Sequence, residues 1–148
     1  MFKNILVPTD GGPLSRKAMA AAVRLAKEQN ARITGVHATP TFVPIMYDGM
    51  LPPAELISRS AHEQAMARAA AKVLGAMEKM CRSAGVRWEG VHVADAEPYR
   101  AIIDTARRKR CDLVLMASHG RRGVAGILLG SETQKVLTHS KVPVLVYR

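Results

Sequence analysis

Ala117-Ser118-His119-Gly120 stands nine residues ahead of Gly130-Ser131, and this spacing equips the chain to handle an anion. The apolar run Cys111-Asp112-Leu113-Val114-Leu115-Met116 precedes it and reads as a buried strand, and Glu132-Thr133-Gln134-Lys135-Val136-Leu137 follows as the start of a helix. A strand, a glycine-bearing loop and a helix start make a phosphate site, because backbone N–H groups at a helix N-terminus carry partial positive charge. In the loop Gly120-Arg121-Arg122-Gly123-Val124-Ala125-Gly126, residues without a Cβ let the backbone approach a ligand closely. Arg121 and Arg122 lie inside it, where a cation would meet the phosphate. Ser131 with Gln134 fits a capping box, so its hydroxyl is expected to cap the helix and still face the anion.

A second candidate is Asp10, in Pro8-Thr9-Asp10-Gly11-Gly12. It reads either as a turn former bonded to its own loop or as part of a ligand site. His119 has no carboxylate or nucleophile placed beside it by sequence and reads as a loop histidine. No glycine is followed by Gly-Lys-Ser/Thr, which excludes a P-loop enzyme. Ser-His-Asp order, paired carboxylates and metal-ligand spacing are also missing, so no catalytic base or nucleophile is offered. Cys81 and Cys111 lie far apart without a CxxC and read as reduced and structural.

The elements that must position these residues follow from periodicity. Lys3 to Pro8 is a short apolar run, and Ser15 to Gln29 repeats Ala18, Ala22, Leu25 and Ala26 on one helical face. Arg32 to Ala38 reads as a strand, and Thr39 to Pro53, with four prolines and no period, as a long surface loop. Ala54 to Ala84 is a helix ended by Gly85, with Met66, Met77 and Met80 as apolar filler. Val86 to Val93 is a strand, Glu97 to Lys109 a helix, and Leu113 to Met116 and Val142 to Val146 complete the strands. Such alternation implies a doubly wound parallel sheet with ligands bound where the strand order reverses, between the loops after the first and fourth strands.

Composition agrees with one domain: the chain has 148 residues, 48% hydrophobic and 23% charged. No apolar run spans a bilayer and none reads as a signal peptide, so a soluble, cytoplasmic protein is expected. The formal charge of +10 asks for an anionic partner, yet the cations are spread over most helices, densest at Arg107-Arg108-Lys109-Arg110 and Arg121-Arg122. With 4% aromatic residues and no DNA- or RNA-binding signature, specific nucleic-acid binding is not expected. The same scarcity disfavours a flavin carrier.

The opening Ile5-Leu6-Val7-Pro8-Thr9-Asp10, the first helix from Ser15 to Ala22, Val36-His37-Ala38, Asp112 to Gly120, Leu129-Gly130-Ser131 and Pro143-Val144-Leu145-Val146 together resemble the universal stress protein family nearly end to end. The family's nucleotide-binding signature is G-x-x-G, nine residues, G-S/T; Ala117 stands here in place of the first glycine.

The resemblance implies a single domain over residues 1–148, a five-stranded Rossmann-like sheet of the adenine nucleotide α-hydrolase type, and strand order 3-2-1-4-5. It implies ATP, with or without Mg2+, as ligand. Pro8, Thr9 and Asp10 would line the adenosine side and Ala38 would pack on the base. Met116, Ala117, Ser118, His119 and Gly120 would wrap ribose and phosphates, with Gly130, Ser131, Glu132 and Thr133 finishing the phosphate site. It also implies a homodimer through the last strand, at Val142, Val144 and Val146. The expected function is a stress-response binding module regulated by ATP, with at most slow ATP hydrolysis. The alternative is the same fold without nucleotide, serving as a protein-interaction module.

Overall fold

In the computed structural model, residues 1–43, 59–120 and 129–148 are described. β1 (Asn4–Pro8) buries Ile5, Leu6 and Val7 completely, which is possible only in a strand covered on both faces. Each such side chain contributes about 1.5–3 kcal/mol of burial. α1 (Pro13–Gln29) has Pro13 at its first position and closes on Asn30 in the left-handed region, φ 52°. It turns Ala18, Met19, Ala22 and Ala26 onto the sheet. β2 (Arg32–Thr39), α2 (Arg59–Ala84) and β3 (Trp88–Ala94) follow. Then come α3 (Pro98–Arg108), β4 (Leu113–Ala117), α4 (Ser131–His139) and β5 (Val144–Tyr147).

All four strand pairings are parallel, and the order across the sheet is β3-β2-β1-β4-β5, as expected. α1 and α2 cover one face around Ile5, Val7, Met19, Ile33 and Met77. The other face is covered by α3 and α4 around Leu6, Val36, Ile102, Val114 and Val136. β1 therefore lies beside β4, and the loops leaving them meet at one end of the sheet.

Several boundaries shift for local reasons. β3 starts at Trp88 rather than Val86, because the Val86 N–H closes the end of α2 by donating to the Cys81 carbonyl at 2.9 Å. β5 starts at Val144 rather than Val142. Ser140 Oγ donates to the Val142 carbonyl at 2.7 Å, turning the chain before Pro143, whose carbonyl accepts the Val114 N–H. α1 begins two residues earlier than its apolar period, at the proline. The long loop expected over Thr39 to Pro53 loses Thr39 to β2; its residues 44–53, and residues 54–58 of the helix expected from Ala54, lie outside the described residues.

Candidate functional site

Pro8 has no N–H to offer toward β4, and just past it the Thr9 N–H donates to the Val36 carbonyl of β2 at 2.9 Å. Beyond it the chain folds on its own side chains. The Gly11 N–H donates to Thr9 Oγ1 at 3.0 Å and the Gly12 N–H to Asp10 Oδ1 at 2.8 Å, the Asx turn that the sequence allowed. Gly11 sits at φ +76°, and a Cβ there would stand 2.9 Å from Val73 Cγ2 of α2. Ser15 fastens the turn: its hydroxyl is 2.8 Å from Asp10 Oδ1 and 3.3 Å from Thr9 Oγ1.

Across the switch point, β4 delivers Met116, Ala117 and Ser118, all buried, then half-buried His119 and exposed Gly120. The Ser118 N–H donates to the Tyr147 carbonyl at 2.7 Å and its own carbonyl accepts the Gly130 N–H at 2.7 Å. These bonds hold both ends of the glycine loop at the edge of the sheet. Two close approaches bring the walls together. A Cβ at Gly120 would stand 2.9 Å from Asp10 Oδ2, and one at Gly130 would stand 3.2 Å from His119 Cα. Asp10 and Gly120, and His119 and Gly130, are thus neighbours at the switch point, where a doubly wound sheet opens its ligand cleft, with Ser131 and the first turn of α4 beside them. Arg121 and Arg122 lie outside the described residues.

Some expected ligand groups are occupied otherwise. Thr133 is buried and donates Oγ1–H to the Ala117 carbonyl at 3.1 Å, tying α4 to β4. Glu132 accepts the Tyr99 N–H at 2.8 Å, satisfying an otherwise unpaired donor at the start of α3, and pairs with Lys135 at 3.1 Å. The capping box is not formed. α4 begins one residue earlier than the box requires, with Gly130 as its N-cap and no side-chain cap bond. Ser131 is then the first helical residue and Gln134 the fourth, and the Gln134 amide donates instead to the Leu129 carbonyl at 3.1 Å. Ser131 is left exposed at the cleft. Ala38 is half-buried near the carboxyl end of β2, in register with Val93.

Two contributors escaped sequence reasoning. Ser15 was read only as helix, although Asp10 five residues earlier could have suggested the bond. His37 donates Nδ1–H to the Thr9 carbonyl at 2.7 Å, which fixes its tautomer and steadies the loop after β1. Beside it in register is His92, which is held below its ordinary range by partial burial and by the neighbouring His37, and whose Nε2 lies 2.8 Å from Thr39 Oγ1. Among the described residues no group of three or more His, Cys, Asp or Glu side chains could hold a metal, and no helix is long and apolar enough to cross a membrane.

A parallel doubly wound sheet with closely packed glycines at its switch point defines the class of α/β proteins that take ligands beyond the carboxyl ends of their strands. Within that class the model of the Universal stress protein family matches residues 1–148, and the chain belongs to this family. It is 32% identical to the universal stress protein YxiE of Bacillus subtilis, with both chains fully covered. It is 30% identical to a universal stress protein of Methanocaldococcus jannaschii, over all of this chain and 83% of that one. Among solved structures, hypothetical protein MJ0577 superposes with a TM-score of 0.81 at 23% identity, covering 99% of this chain and 96% of that one. A universal stress protein in complex with cAMP gives 0.70 at 24% identity, covering 99% and 97%. One from Archaeoglobus fulgidus in complex with dAMP gives 0.70 at 16% identity, covering 99% and 98%. These structures share the fold.

Proposed function

We propose that the cleft binds an adenine nucleotide, ATP with Mg2+ in the working complex, and that occupancy regulates what this universal stress protein binds in a stress response. The observation that carries the reading is the pair of close approaches at Gly120 and Gly130: a Cβ at Gly120 would crowd Asp10 of the loop after β1, and one at Gly130 would crowd His119 at the other end of its own loop. Backbone amides at the start of α4 and the exposed Ser131 hydroxyl supply donors for phosphate. The turn at Pro8, Thr9 and Asp10 with Ala38 forms the adenosine side. Met116, Ala117 and Ser118 support the floor from below, and Glu132 and Thr133 act by holding α4 in place. Arg121 and Arg122, from the loop between, would add charge to the phosphates. Relatives in complex with cAMP and dAMP favour the adenosine part of this reading. Mg2+ would be held chiefly by the phosphates, with Asp10 the nearest carboxylate of the cleft.

The same reading treats the 148 residues as one functional unit working in the cytoplasm, and as half of a homodimer joined along β5. Titration calorimetry with Mg-ATP tests the site. Saturable binding is expected, abolished by Gly130→Val, whose side chain would meet the His119 backbone, and equal or stronger in Ala117→Gly. Binding that survives Gly130→Val would place the nucleotide elsewhere; a marked loss in Ala117→Gly would assign the alanine to a different ligand.

A further inference from the structure

At the opposite end of the sheet the fold assembles what the sequence scatters. Among the described residues every strand is entered past an exposed cation: Arg87 before β3, Arg32 opening β2, Lys3 before β1, Arg110 before β4 and Lys141 before β5. In the order β3-β2-β1-β4-β5 the five strand entries at which they sit lie side by side in a row, across roughly 20 Å at the ~4.8 Å spacing of neighbouring strands. Three carboxylates toward this end are paired with cations outside the row, while among the described residues Glu28 at the end of α1 has no ion pair and the Asp112 carboxylate lies beside Lys3. Glu89 pairs with Lys109, Asp104 with Arg107 and Glu78 with Arg82. Asp112 accepts the N–H groups of Lys3 and Asn4 at 2.8 and 3.0 Å. Compensation of helix dipoles does not account for the row, because Lys3, Arg32, Arg87 and Lys141 lie outside the last turns of the helices. Arg32 Nη2 also donates to the Lys109 carbonyl at 3.3 Å, tying β2 to the turn before β4.

We infer that this row is a binding surface for the phosphate backbone of a nucleic acid, engaged without reading sequence. A line of single charges matches a linear polyanion, and five arginine or lysine side chains would displace the counterions of about as many phosphates. The sheet twists by about 20° per strand, so the row winds and a flat anionic surface would meet only part of it. The scarcity of aromatic side chains in the chain, 4% in all, leaves few bases to be stacked and the backbone to be gripped.

Fluorescence anisotropy with a labelled 20-base-pair duplex over a salt series tests the inference on the intact protein. Binding at 50 mM salt is expected, with a slope of log K on log salt of about −4 to −5, a loss of roughly 500-fold by 200 mM. Arg87→Gln with Arg110→Gly and Lys141→Gln should flatten the slope by about 2.7; Arg110 has φ 53°, so glycine there relieves backbone strain while removing charge. Arg100→Gln, an exposed charge at the other end of the sheet, should leave the slope unchanged. Absence of saturable binding at 50 mM salt, an unchanged slope in the triple variant, or phosphatidylserine vesicles bound as tightly as the duplex would each overturn it. Mg-ATP binding at the opposite end is read separately and is unaffected by these substitutions.

Discussion

Cys81 and Cys111 show how burial decides chemistry one side chain at a time. Desolvation pushes the Cys81 thiol up to about 12 and the Cys111 thiol up to about 11, so neither forms thiolate near neutral pH. Both should resist a disulfide-exchange reagent in the folded protein and react at once in denaturant; a fast-reacting native thiol would contradict their placement in the two cores. Thr105 is the converse case. It is fully buried, and among the described residues its Oγ1 is a buried side-chain polar atom with no hydrogen-bond partner. Thr105→Val keeps the shape and removes an unsatisfied hydroxyl, so a gain of about 1 kcal/mol is expected from urea denaturation. At this scale the sequence was read well where a side chain acts on its own neighbours, as in the Asx turn of Asp10. It was read poorly where one residue of backbone offset matters: Ser131 could not be told from a cap, because the start of α4 is set by Gly130.

At the scale of elements, alternating apolar runs and helical periods give the order of the nine elements among the described residues, since burial on both faces of a strand and on one face of a helix leaves its period in the residues. Boundaries were less legible, because Val86 and Val142 are apolar yet are committed to the turns before their strands. Close packing between elements was not legible at all. Gly35 of β2 lies under Trp88 of β3, and a Cβ there would come within 2.0 Å of Trp88 Cη2. Gly35→Ala should therefore cost about 1–3 kcal/mol, measured by thermal or urea unfolding, as the half-buried ring is forced off its seat. A neutral effect would mean that Trp88 repacks freely.

For the whole molecule, the open edge at β5 carries the assembly prediction. Val142 and Val144 pack against the core between the sheet and the α3 and α4 layer, while Leu145 is 41% exposed on the strand. Leu145→Asp is thus the cleaner probe, since it places charge on the edge without opening the core. Light scattering should report a dimer for the native chain and a monomer for the variant. A monomeric native chain, or a dimer that tolerates the aspartate, would refute pairing through β5.

The sequence by itself determined the parallel α/β class, the strand order through family resemblance, and the two loops that meet at the switch point, because hydrophobic period and glycine spacing are local properties of the chain. Only the tertiary structure decided which groups those loops turn toward the cleft. It gave Glu132 to the start of α3 and Thr133 to the end of β4, and it recruited Ser15 and His37 to brace the turn at Asp10. It also decided where the charge goes: cations that look dispersed along the chain line up across the sheet because five parallel strands begin at the same end. Contacts between residues far apart in sequence depend on register and packing, and neither period nor spacing records them.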